Sequence, residues 1–316
     1  MDYGTFIERG HQPWADLEAR LTEAERGRMA AIGYEDLQRL SSLHRRAISD
    51  YALARTHFGG TDVERRLGAL ALRGHRLLAS RHDPVLQRII RFYLHDYGGI
   101  FREAGPALRA SLAIFCGAAA VGALLTWIDH DFAALLIGVD ALEMIKEGEI
   151  WTDFVSAAAP PSVLSGYIFT NNMSVAIAVW AGGALLGLGT VAALATNGAM
   201  VGSLFTVCAQ YDLVGRLLAF ISAHGPLELF LITVAGAAGL MLGRAEIAWD
   251  NRPRGEAFGL AARQSVRLML GTLPWFVLLG LVEGYLSPIM SIPTLAKAVV
   301  GIVLLLFFLV STGLSR

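Results

Sequence analysis

From Ala298 to Val310 the chain carries no polar side chain, and the apolar run around it, about residues 295–313, is long enough to cross a bilayer's hydrocarbon core. In hydrocarbon every backbone N–H and C=O must be bonded within the chain, so a run of this length can only be a helix. Five further runs, at about 107–128, 173–196, 198–222, 226–243 and 266–286, repeat the signal. The expected fold is therefore all-α: a polytopic helical membrane protein of about six transmembrane helices. The third of these runs, 198–222, is interrupted by Asp212 and Arg216, which predicts a short span over 198–211 followed by a broken or re-entrant piece, "LVGRLLAFISA".

Charge divides the chain in two. Residues 1–105 hold 16 Arg and 14 Asp/Glu, whereas 106–316 hold 10 Lys/Arg and 13 Asp/Glu over twice the length. The first part reads as a cytoplasmic domain of about four amphipathic helices, with apolar residues three and four apart at Phe6, Trp14, Leu17 and Leu21, at Leu37, Leu40, Leu43 and Ala47, and at Leu67, Leu70 and Leu77. Breaks are expected at Gly33, at "GGTD" (59–62), where Thr61 or Asp62 can cap the next helix, and at "HDP" before Val85. The fourth helix, "PVLQRIIRFYLHDYGGIFREAG", fits either a bundle helix or one lying in the headgroup layer with Phe92, Tyr93 and Phe101 dipped inward.

Basic residues in short loops stay cytoplasmic. The connection 129–172 has seven acids and Lys146 as its one Lys/Arg, whereas the fourth-to-fifth connection carries Arg244, Arg252, Arg254 and Arg263. The first is expected outside and the second inside, which with six spans places both termini in the cytoplasm of a bacterial inner membrane. The first 25 residues contain no apolar core of signal-peptide length, in keeping with a cytosolic N-terminus. Glycines four apart (Gly183/Gly187, Gly198/Gly202, Gly239/Gly243, Gly280/Gly284) predict closely packed helices, within the chain or with a second copy; a homodimer is the expectation.

Several chemistries are excluded. A net charge of -1 offers no basic stripe for nucleic acid. Cys116 and Cys208 lie in apolar runs, where a thiol behaves as a small hydrophobe. "GALLGLGT" has no Lys-Ser/Thr after its glycines, so it is no phosphate loop. No elbow-type nucleophile motif and no HExxH is present. No catalytic residue, metal or cofactor is expected.

What remains is polar residues at span ends. "HGPLEL" puts His224 and Glu228 four apart, on one helix face if the helix begins early enough. Pro226 and Gly225 instead suggest a helix start, with Glu228 satisfying free N–H groups near the third position. The functional alternatives are a cluster of His224 and Glu228 with Arg216 and Glu283, which the topology places at the outer ends of the third and fifth spans, or a metal site, against which stands the single histidine in the membrane where a metal needs three or four ligands. Asn171 and Asn172 in "FTNN" are read as helix caps of the second span. The external segment "DALEMIKEGEIWTDFVSAAAPP" spaces Leu142, Ile145, Ile150 and Trp151 as an amphipathic helix, lying on the membrane or facing a partner; Ile150, Trp151 and Asp153, with Trp14 on the head, are the docking candidates.

Five stretches together resemble the stage II sporulation protein M family of integral membrane proteins: "FIERGHQPWADLEARL" (6–21), "EGEIWTD" (147–153), "FTNN" (169–172), "HGPLEL" (224–229) and "VEGYLSP" (282–288). The resemblance implies a non-enzymatic inner-membrane scaffold, which in spore formers recruits peptidoglycan-degrading envelope enzymes. The longer branch with a cytoplasmic head tends to sit beside MoxR-type AAA+ ATPases, implying an ATPase partner for residues 1–105. A transporter or channel using the polar cluster, and an intramembrane metal-dependent hydrolase, are the competing expectations.

Overall fold

A computed structural model describes residues 2–25, 34–79, 85–152, 160–248 and 253–314. The breaks expected at Gly33 and "HDP", the docking candidate Asp153 and the connector residue Arg252 lie outside them. The described residues contain helices and turns and no strand. They form two compact units, 1–89 and 90–316.

The first unit contains α1 (Tyr3–Glu25), α2 (Tyr34–His57) and α3 (Asp62–Ala79). Phe6, Trp14, Leu17 and Leu21 of α1 meet Leu40, Ala47 and Ala54 of α2 and Leu67 and Leu70 of α3 in one buried core. Pro13 sits inside α1 and has no N–H to give the Arg9 carbonyl. Arg46 fills that gap, its Nη2 donating to Arg9 O at 3.3 Å. Of the two capping candidates Thr61 is used: its Oγ1 accepts the Glu64 N–H at 3.4 Å while Glu64 Oε2 accepts the Gly60 N–H at 2.7 Å. Across the surface Arg73 grips Glu25 at 3.1 and 2.8 Å, and that contact holds the Glu25 carboxyl below its ordinary range. Trp14 is 3% exposed, with Nε1 donating to Asp50 Oδ2 at 2.8 Å. It is a core residue rather than a docking one, because its indole fills the space that Gly10 leaves open.

The second unit begins with aromatic residues that belong to the membrane core. After α4 (Val85–Arg91) a π-turn over Phe92–Asp96 leads into α5 (Tyr97–Glu103). Tyr97, Ile100 and Ala104 are buried there, so the fourth amphipathic segment divides and its aromatic part leaves the head. Six long apolar helices follow: α6 (Gly105–Ile128), α9 (Pro161–Ala181), α10 (Leu188–Gln210), α12 (Gly225–Ile247), α13 (Arg254–Tyr285) and α14 (Thr294–Leu314), with short α7 (Phe132–Ile137), α8 (Val139–Lys146) and α11 (Val214–Ile221) between them. Leu295, Val299, Ile302, Val303, Leu306 and Phe307 of α14 are all exposed. This inside-out pattern suits a helix whose solvent is lipid.

Six spans are as expected, but two boundaries move. The apolar run 173–196 is divided by a tight turn at Gly182–Gly187, where Leu186 and Gly187 have φ of 57° and 80°, so α9 starts at Pro161 and α10 at Leu188. The third span is therefore a full helix of 23 residues rather than a short or re-entrant one, and "LVGRLLAFI" becomes the separate α11 after a break at Asp212 (φ 58°). All four glycine pairs serve contacts within the chain. Gly183 and Gly187 abut Gly239 and Gly243, Gly198 and Gly202 abut α6 backbone at Phe115 and Ala119, and Gly280 and Gly284 abut α9 at Phe169 and Ser165. They therefore give no independent support to a second copy.

Most buried of the six is α12, against which α6, α9, α10, α13 and α14 all pack. Interhelical hydrogen bonds join the spans, Ser111 Oγ to Thr233 O at 2.7 Å and Trp180 Nε1 to Ser265 Oγ at 3.2 Å. Such bonds are worth roughly 0.6 kcal/mol each in lipid, so they set register more than they supply stability.

Candidate functional site

The turn from α11 into α12 carries the first group. His224 is the N-cap residue of α12, and Pro226 follows in the first turn, where a missing N–H costs nothing. The Glu228 N–H donates to His224 O at 3.0 Å, so the two side chains stand one turn apart on one face. Glu228 thus lies after the free N–H groups of the helix start, and its carboxylate makes no cap. It faces the imidazole instead: His224 Nε2 to Glu228 Oε2 is 3.9 Å.

Glu283, two residues before the end of α13, brings the second carboxylate. His224 Nε2 to Glu283 Oε1 is 3.7 Å. One atom from each of His224, Glu228 and Glu283 lies within 4.8 Å of the others. The His224 side chain is 4% exposed, Glu228 17% and Glu283 13%, so the group is largely withdrawn from its surroundings.

The ring is held from behind. His224 Nδ1 is 2.9 Å from Ser287 Oγ, and Ser287 Oγ lies 3.4 Å from Val282 O. With the hydroxyl donating to Val282 O, the ring donates Nδ1–H to Ser287 and turns the lone pair of Nε2 toward the two carboxylates. Ser287 is fixed in turn by Lys297 of α14, 1% exposed, whose ammonium donates to Ser287 O at 2.6 Å and Ala219 O at 2.8 Å. Phe220 stands edge-on to the imidazole at 5.6 Å.

Two expectations from the sequence are corrected. Asn171 and Asn172 cap nothing, because α9 starts ten residues earlier and both fall in its interior. Asn172 Nδ2 instead donates to Glu283 Oε2 at 3.4 Å, and Asn171 Nδ2 donates to Asn172 Oδ1 at 3.4 Å. Arg216 points elsewhere: it is exposed on α11, with Nη1 donating to Gly148 O at 2.6 Å. The basic group beside His224 is Lys297, which the sequence reading passed over although it is a lone charge in the most apolar run.

The amphipathic face of the segment expected outside is also accounted for within the chain. Helix α8 ends at Lys146, the chain turns at Gly148 (φ 83°), and Leu142, Ile145 and Ile150 are buried with Val207, Cys208, Leu213 and Leu217. Ile150 is thus core, its position set by that turn, and cannot dock a partner. Trp151, 39% exposed, is the candidate on this segment that keeps an accessible face.

A family described as Stage II sporulation protein M matches residues 111–288, and a Domain of unknown function (DUF8413) matches residues 4–80. No curated protein and no solved structure matches the chain. The first match takes in His224, Glu228, Glu283 and Ser287 and ends before Lys297.

Proposed function

Because the chain belongs to the stage II sporulation protein M family, we propose that it is a multi-pass inner-membrane scaffold that organises envelope or peptidoglycan-remodelling enzymes and a MoxR-type ATPase. Both termini are cytoplasmic in this reading. The observation that carries it is the head: residues 1–89 are a compact unit with their own apolar core, covered by a family match separate from that of the spans. A water-facing module of this kind, joined to a membrane unit, suits recruitment of a soluble partner. On the outer side the accessible docking residue is Trp151. If the scaffold works as a homodimer, its second copy meets lipid-facing side chains such as Leu306 and Phe307, since the glycine pairs are engaged within the chain.

The test is affinity capture from native membranes with the full chain, with a chain lacking residues 1–89, and with Trp151→Ala. Loss of a cytosolic ATPase in the first variant and of an envelope hydrolase in the second is the expected result. Unchanged recovery of every partner in both variants removes the reading. A second reading, a transporter or channel, is favoured by the buried His224–Glu228–Glu283 group at one end of α12 and α13. It requires solute or ion flux into liposomes that Glu228→Gln abolishes.

A further inference from the structure

We infer that His224, Glu228 and Glu283 are the protein ligands of one divalent first-row transition cation, of the Zn²⁺ or Mn²⁺ kind, held at one end of α12 and α13. The geometry comes first. Zn²⁺ with ligand atoms at 2.0–2.2 Å in a tetrahedral arrangement sets those atoms about 3.3–3.6 Å apart. The two separations from His224 Nε2 are 3.7 and 3.9 Å, too long for hydrogen bonds and a few tenths of an ångström from that polyhedron. The three ligand atoms all lie within 4.8 Å of one another, and rotation about the glutamate side chains is what brings the two carboxylates to that spacing as well.

Electrostatics points the same way. Two carboxyl groups and a ring nitrogen converge where water is scarce, and carboxylates so placed repel unless a proton or a cation is shared between them. The nearby ammonium of Lys297 is committed to two backbone carbonyls. One divalent cation with two carboxylates and a neutral imidazole is a neutral assembly, the arrangement a membrane-embedded site tolerates best. Mixed nitrogen and oxygen ligands favour a transition ion over Mg²⁺ or Ca²⁺, which take oxygen.

The surroundings are those of a metal ligand set. A ligating histidine donates its other ring N–H to a fixed acceptor, and Ser287 Oγ, 2.9 Å from Nδ1 on a residue whose carbonyl is held by Lys297, stands where that acceptor is needed. A ligating carboxylate is likewise hydrogen-bonded, as Glu283 is by Asn172. Three protein ligands leave a coordination position open for water or a small ligand. This inference does not depend on scaffolding: an ion here can be structural or can activate that water.

The experiment uses the full chain in lipid nanodiscs, stripped with a chelator and titrated with Co²⁺ and then Zn²⁺. Expected is one Co²⁺ per chain, visible as ligand-field bands of mixed nitrogen and oxygen ligation and displaced by Zn²⁺. Glu228→Gln and Glu283→Gln should each weaken binding by far more than the roughly 10- to 100-fold expected for Ser287→Ala, which disturbs only the support of the ring. If the carboxamide variants do not fold, Ser287→Ala and the wild-type competition still decide. No Co²⁺ bound at micromolar concentration, or equal binding in Glu228→Gln, Ser287→Ala and wild type, overturns the site.

Discussion

At Lys297 a charged side chain, 1% exposed, spends its donors on Ala219 O and Ser287 O and so ties α11, the turn after α13 and α14 together. Removing it strands two carbonyls and frees the serine that holds His224. Charge-assisted bonds contribute about 1.5–3 kcal/mol each, so Lys297→Ala should lower unfolding stability by about 3 kcal/mol, read as a clear drop in melting temperature in mild detergent. A melting curve like the wild type's would show these bonds to be incidental. The sequence pointed to Arg216 instead because topology alone places it at the right level. One residue of helix rotates a side chain by about 100°, and that step separates exposed Arg216 from wholly buried Leu217. His224 and Glu228 were legible as a pair because the i, i+4 spacing is local. Glu283 was legible only as a nearby acid, and Asn172 not at all as its partner, since their contact joins residues far apart in the chain.

Among elements, length and hydropathy identified six crossings but misplaced the turn between the second and third. "GGALLGLG" is as apolar as the spans it joins, with Leu185, Leu186 and Leu188 exposed, so nothing in hydropathy marks it. Its glycines are what a tight turn needs, and Gly187 at φ 80° is the one whose backbone requires it. That turn slides α9 outward along the chain and carries the asparagines from a helix end to a helix interior. The same glycine patterns make a contrast that can be measured. At Gly239 a side chain would run into Thr190 Oγ1 and the carbonyls of Trp180 and Val179, whereas at Gly166 nothing lies within 4 Å. Gly239→Leu must push α12 from its neighbours, and overpacking of this kind costs about 1–3 kcal/mol or more. Gly166→Leu, reaching only open space, should stay within about 0.5 kcal/mol of the wild type. Equal thermal stability of the two variants in detergent would mean that α12 does not cross its neighbours as closely as described.

For the whole molecule the decisive boundary is where water gives way to lipid as the solvent that organises the chain. Charge density divides the chain near residue 105 and packing divides it at 89/90, because the segment between is both arginine-bearing and aromatic and so reads either way. The membrane unit resolves that ambiguity with specific contacts. Tyr97 occupies the space opened by Gly271, Tyr93 Oη donates to Leu270 O at 2.8 Å, and Arg267 pairs with Asp96 at 2.8 Å. Burial accordingly pushes the Tyr97 phenol above its ordinary range, a sign of how far the segment is withdrawn from water. The head, by contrast, closes its core with residues no later than Leu77. A fragment of residues 1–89 should therefore be helical, monodisperse in plain buffer and cooperative on heating, since a chain of this size with one connected core can fold alone. A fragment of residues 1–104 adds Phe92, Tyr93, Tyr97 and Phe101 without the α13 and α14 surfaces that cover them, and should aggregate or need detergent. If the longer fragment is the better behaved of the two, the aromatic segment belongs to the head, and the division between the units lies where the charge pattern first placed it.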